Sequence, residues 1–223
     1  PEYGVHCVTE DELHFFDGVQ GKRLLEVGCG SGHSLVWQAK HGAGELWGLD
    51  ISESQLRNAS RWLAENGVEA HLVCSPMEEP CGIPEGYFDY VYSIYALGWS
   101  TDLHCTFRRL AAYLKPGGTL IFSWNHPLYG RAGCVHVQGD RLVFDKSYFD
   151  RRDTEFTFDD GVLYLRNYSI SDYVNALADA GFAIERLVEQ TDAETLAASG
   201  DLTDKMRQAQ MHPLSFVFKA RKL

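Results

Sequence analysis

The segment Leu24-Leu25-Glu26-Val27-Gly28-Cys29-Gly30-Ser31-Gly32 constrains this chain more than any other. A compact apolar run ends in three glycines at alternate positions, and a helical pattern over residues 34–41 follows at once. A turn that short needs glycine, because a Cβ would obstruct both the backbone and a ligand approaching it. The amino end of the following helix favours negative charge, such as a carboxylate or a phosphate. The expectation is a strand–turn–helix unit with a ligand seated against the turn.

The same rhythm continues. Residues 45–50 read as a second strand. Ser52 then opens a helix, with Gln55 at capping-box spacing and Leu56, Ala59 and Leu63 on one face. Residues 70–74 and 88–95 are a third and a fourth strand. Leu103, Phe107, Leu110 and Leu114 mark a further helix, stopped by Pro116 and Gly117, and residues 119–124 form a fifth strand. Strands alternating with helices give a doubly wound α/β fold, which binds ligands outside the carboxyl ends of its strands. The places to look are therefore just after Val27, Asp50, Cys74, Tyr95 and Trp124.

Asp50 closes the second strand, eighteen residues beyond Gly32. An acid there can accept hydrogen bonds from both hydroxyls of a ribose. Two adenosine ligands compete for such a site. Dinucleotide enzymes use G-x-G-x-x-G, whereas here the spacing is G-x-G-x-G with His33 next. Glu26 would repel a pyrophosphate and suits a cationic ligand.

From residue 126 to 168 the alternation loses its helices. Val135 and Val137 face Leu142 and Phe144 across Gln138-Gly139-Asp140, and a second pair of strands flanks Asp159-Asp160-Gly161. Helix and strand signals return at 171–180, 183–189 and 214–220. Residues 126–168 are thus a β-rich insertion in a single domain spanning 1–223, since about 40 residues seldom fold alone.

Of the 223 residues, 31 are Asp or Glu and 20 are Lys or Arg, a formal net charge of −11 with no basic run. Such a surface repels phosphates, so no nucleic-acid partner is expected. No stretch approaches the length of a membrane span and no signal peptide is visible. The six cysteines are scattered, with no C-x-x-C pair, so no metal site is expected and a reduced, cytoplasmic setting is.

Taken together, four segments resemble the class I S-adenosylmethionine-dependent methyltransferases, specifically the type 11 small-molecule group. They are Leu24–Gly32, the run Leu46-Trp47-Gly48-Leu49-Asp50-Ile51-Ser52, the run Phe88-Asp89-Tyr90-Val91-Tyr92-Ser93, and the run Leu114-Lys115-Pro116-Gly117-Gly118-Thr119-Leu120. The resemblance covers nearly the whole chain. It implies a Rossmann-like, seven-stranded, mostly parallel sheet with an antiparallel last strand, in three layers, with the insertion covering the substrate. It also implies S-adenosylmethionine as cofactor, S-adenosylhomocysteine as product, and a small-molecule acceptor methylated by in-line displacement. A non-catalytic cofactor-binding module on the same fold is the alternative.

The resemblance further implies roles. Gly28, Cys29, Gly30 and Gly32 line the methionine end and the ribose, and Glu26 orients the loop and the ammonium group. Asp50 holds the ribose hydroxyls and Ile51 packs on adenine. Met77 offers its N–H to adenine, Ser93 its carbonyl to the ammonium group, and Tyr3 closes over the carboxylate. Ser75 stands where the family often has an Asp for the adenine amino group, with Glu78 as a compensating acceptor. Gln55 is either a helix cap or a ribose contact. His33 either belongs only to the first helical turn or faces the methionine portion. Tyr95, Trp99, Trp124, Asn125 and His126 are the acceptor-side candidates, as pocket or as packing, with His126 the one weak candidate for a general base.

Overall fold

A computed structural model describes residues 2–130, 133–158 and 161–223; Asp159 and Asp160 of the second expected turn lie outside them. The elements are α1 (Glu10–Leu13), β1 (Arg23–Val27), α2 (His33–Lys40), β2 (Glu45–Asp50), α3 (Glu53–Glu65), β3 (His71–Cys74) and β4 (Phe88–Ile94). A 3-10 turn (Leu97–Trp99) follows, then α4 (Leu103–Tyr113), β5 (Leu114–Asn125), β6 (Val135–Gln138), β7 (Arg141–Phe144), β8 (Thr154–Phe158) and β9 (Gly161–Leu165). The chain ends with α5 (Ile170–Asp179), β10 (Phe182–Val188), α6 (Ala193–Ala197), α7 (Asp204–Met211) and β11 (Ser215–Lys222).

Seven strands form one sheet in the order β10-β11-β5-β4-β1-β2-β3. β11 alone runs against the others, pairing antiparallel with both β5 and β10. Chain direction reverses its walk across the sheet at β1, whose neighbours are β2 and β4, both parallel to it. That switch point opens a crevice at the carboxyl ends of these strands.

Strand alternation feeds two cores. Leu25, Val27, Val91 and Phe122 pack against Phe107 and Leu110 of α4 and Leu177 of α5. Leu24, Tyr92 and Ile121 turn to the other face, against Leu35 and Val36 of α2, Leu63 of α3 and the amino-terminal Tyr3, Phe15 and Phe16. Leu24 and Leu25 are both fully buried, which is why β1 reads as a continuous apolar run rather than an alternating one.

Two local expectations need correction. Leu114 does not end the fourth helix; it is the first residue of β5 and pairs with Phe88. The ladder then skips to Tyr90 with Thr119, so Lys115–Gly118 bulge out of it, and Lys115 Nζ is fixed by Asp89 Oδ1 at 2.6 Å. The Ser52 side chain does cap α3 by accepting the Gln55 backbone N–H at 3.3 Å, but the Gln55 side chain does not return the bond; its Oε1 accepts from Ser31 Oγ at 2.8 Å. β6–β7 and β8–β9 form separate two-stranded sheets, and Val135 and Val137 face Phe144 and Leu142 as the spacing predicts.

Candidate cofactor and acceptor site

The glycine turn is folded back onto the next strand. The N–H groups of Gly28 and Cys29 both donate to the Leu49 carbonyl, at 2.7 and 3.0 Å. Gly28 (φ 74°) is pressed against the end of β4, where a Cβ would lie 2.1 Å from that of Ala96. Gly30 (φ 51°) is different, because a Cβ there would meet nothing within 4 Å. The backbone at Gly30 therefore lies open, as a cradle for a ligand requires.

Asp50 joins the two motifs. Its Oδ2 accepts the Gly30 N–H at 2.8 Å, and its Oδ1 accepts the Ser52 N–H at 2.9 Å. Each carboxylate oxygen keeps a lone pair for a further donor. Beside it Ile51 is 62% exposed, an apolar side chain left open at the lip of the crevice. The loop after β3 closes the far side, with the Ser75 N–H donating to the Asp50 carbonyl at 3.0 Å and Met77 half-buried against the core.

Glu26 lies beneath the turn, buried, and takes a hydrogen bond from Tyr92 Oη at 3.3 Å. Burial pushes its pKa well above the ordinary 4.5, against the Tyr92 hydrogen bond, which lowers it. The ladder between β1 and β4 ends at Glu26 and Tyr92, so Ser93 is the first β4 residue past it. Ser93 Oγ is buried with no hydrogen-bond partner among the described residues. An open cradle, a half-used carboxylate, an exposed apolar lip and an orphaned buried hydroxyl fit an adenosyl ligand carrying a polar tail.

Several expected contacts are placed elsewhere. Tyr3 is fully buried and stacks on Phe16, and its hydroxyl is held by the buried Glu10, so it anchors the amino-terminal segment instead of facing a ligand. The Cys29 side chain is tucked under the turn, where a Cβ on Gly48 would lie 2.8 Å from its Sγ, which leaves only its backbone for the crevice. His33 is exposed and packs on Trp62 of α3, ring centres 4.8 Å apart. Ser75 Oγ turns to the Pro76 carbonyl at 3.3 Å. Glu78 accepts from the Thr101 N–H at 2.9 Å and so ties two loops together.

On the acceptor side, Tyr95, Trp99 and Trp124 do come together. Trp124 lies 5.5 Å from Tyr95 and 5.7 Å from Trp99, and Trp99 lies 5.6 Å from Phe156 of β8. Phe156 was not legible as a site residue, although its place in an alternating hairpin strand gave it a face. Asn125 Oδ1 accepts from Tyr95 Oη at 2.8 Å. His126 is buried with both ring nitrogens in use: Nε2 sits 2.8 Å from Glu189 Oε1, and Nδ1 accepts the Leu128 N–H at 3.3 Å. Burial lowers its pKa against the pull of Glu189, and nearby His212 lowers it further. A ring so engaged is a brace between β5 and β10, not a free base.

Residues 25–122 match the model of the methyltransferase domain family. The crystal structure of an S-adenosylmethionine-dependent methyltransferase from Mesorhizobium loti aligns over 94% of this chain and 95% of that one, with 27% identity and a TM-score of 0.77. Residues 25–122 thus carry a methyltransferase domain, in a chain with the fold of the S-adenosylmethionine-dependent methyltransferases. A putative methyltransferase from Listeria monocytogenes, 23% identical with a TM-score of 0.77 over 96% of each chain, shares the fold. The methyltransferase domain is also 35% identical over 105 residues to the ubiquinone biosynthesis O-methyltransferase of Bordetella avium, covering 47% of this chain and 43% of that protein. The chain spans about half the length of the curated relatives it matches.

Proposed function

We propose that the protein transfers a methyl group from S-adenosylmethionine to a small-molecule acceptor, with release of S-adenosylhomocysteine. The single observation that carries this reading is the Asp50 carboxylate, held by the amides of both motif loops beside the open Gly30 backbone. When bound, the cofactor supplies a methyl carbon made electrophilic by its sulfonium.

The chain's own residues then have defined tasks. Asp50 offers its remaining lone pairs to the ribose hydroxyls, and Ile51 supplies an apolar surface for the adenine. Met77 closes the adenine side. The Glu26 carboxyl and the end of β4 at Ser93 lie beneath the methionine tail. Alignment of reactants is the main contribution, and pre-organised partners gain up to about 7–11 kcal/mol relative to free encounter. Residues 126–168 act as a lid that excludes water, with Phe156 seated on Trp99. The acidic balance of the chain, formally −11, favours an acceptor other than nucleic acid. The likeness to an enzyme named for ubiquinone biosynthesis supports an O-methyl acceptor.

Incubation with methyl-labelled S-adenosylmethionine and a small-molecule extract tests the reading. Label in a small-molecule product, with matching S-adenosylhomocysteine, is expected. Binding of the cofactor without any transfer would leave a non-catalytic cofactor-binding module.

A further inference from the structure

Tyr95 has an unusual backbone for a bulky residue, at φ 58°. Holding a non-glycine side chain in the left-handed region costs about 1–3 kcal/mol and persists only where the surroundings fix it. Here they do. The amino-terminal segment packs so close that a Cβ on Gly4 would lie 2.4 Å from Cε2 of Tyr95 and from Ser215 Oγ. Ser215 Oγ, at the start of β11, is 2.8 Å from the Tyr95 hydroxyl. That hydroxyl donates to Asn125 Oδ1 at 2.8 Å.

Three segments of chain thus converge to fix one amide at the carboxyl end of β5. With its carbonyl oxygen taken by Tyr95, the Asn125 amide turns its N–H pair the other way. Nδ2 lies on the side of Gly130, 3.8 Å from where a Cβ on that residue would sit, as the chain enters the insertion. The Tyr95 ring that fixes the amide is also the first of an aromatic series, Tyr95, Trp124, Trp99 and Phe156, that runs from the sheet to the insertion. An amide N–H pair matches oxygen lone pairs, and ring edges and faces match a planar aromatic molecule.

We propose that Asn125 selects the methyl acceptor by binding an oxygen of a planar aromatic molecule, with Tyr95 as the positioning residue that aims its amide. The inference rests on the methyltransferase reading of the site and names its substrate class.

The test uses the full chain saturated with S-adenosylhomocysteine and three probes followed by ligand-observed NMR: catechol, 1,2-difluorobenzene and cyclohexane-1,2-diol. Catechol should bind more tightly than the diol, which lacks the ring. Asn125→Asp keeps an oxygen for Tyr95 but removes the donor pair, and should weaken catechol by about tenfold, the value of one lost hydrogen bond, while difluorobenzene changes little. Asn125→Leu should do the same, and Tyr95→Phe should weaken catechol less. If wild-type protein does not bind S-adenosylhomocysteine, the methyltransferase reading falls and this inference with it. If that binding is intact, three results overturn the inference alone: no catechol binding, unchanged catechol affinity in Asn125→Asp, or catechol and difluorobenzene weakened in parallel.

Discussion

At the scale of the residue, two glycines of one turn separate stability from ligand space. Gly28→Ala would drive a Cβ into Ala96 at 2.1 Å, on backbone already at φ 74°. It should lower the melting temperature sharply or prevent folding. Gly30→Ala meets nothing within 4 Å, so its cost in stability is about 1 kcal/mol of left-handed strain. It should nonetheless weaken S-adenosylhomocysteine by calorimetry, because its methyl group projects into the cradle; unchanged affinity would mean the ligand lies elsewhere. Glu26 gives a pH signature. The folded chain holds that proton to a higher pH than the unfolded one, whose ordinary value is 4.5. Above 4.5 the unfolded state therefore binds fewer protons, and the contribution to stability is fully present below 4.5 and lost as pH rises through the folded pKa. Glu26→Gln removes this loss, so its melting temperature relative to wild type should climb as pH rises above 4.5. A difference that stays constant as pH rises would contradict a buried, proton-holding Glu26.

The β-rich insertion behaves differently from the sheet at the scale of the element. β6–β7 and β8–β9 each stand as two strands without a third, and Phe144, Val162 and Tyr164 remain exposed on them. Isolated two-stranded ribbons are marginal in water, so their stability comes from the few side chains that dock, such as Phe156 and the buried Leu165. Amides of β8 and β9 should exchange at least about a hundredfold faster than those of β4 and β5, by hydrogen-exchange mass spectrometry. Equal protection would make the insertion part of the core and remove the lid. The hairpins and the parallel units were legible because a period of two and a strand–helix rhythm are written locally in the chain. What the local pattern could not carry were side chains whose partners are distant. His126 is committed by Glu189, Glu78 by Thr101 and Tyr3 by the buried Glu10. In each case a tertiary contact, not spacing, decided where a polar group points.

For the whole molecule, the decisive feature is the reversal of strand order at β1. It places the ends of β1, β2 and β4 around one crevice and brings Gly30 to Asp50 across twenty positions of sequence. The placement of the glycine turn and of the Asp50 carboxylate could be read in advance, because the fold leaves them little freedom. Of the acceptor-side candidates, Tyr95, Trp99, Trp124 and Asn125 were legible from the carboxyl-end rule, whereas Phe156, which extends their series into the insertion, was not, because no motif specifies how the insertion docks. Calorimetric titration of S-adenosylhomocysteine into wild type and Asp50→Ala tests the central claim most directly. One site per chain is expected, weakened in the variant by about 10- to 100-fold, since a hydrogen bond to a charged group contributes about 1.5–3 kcal/mol. Equal affinity in the two proteins, or no binding to either, would contradict it.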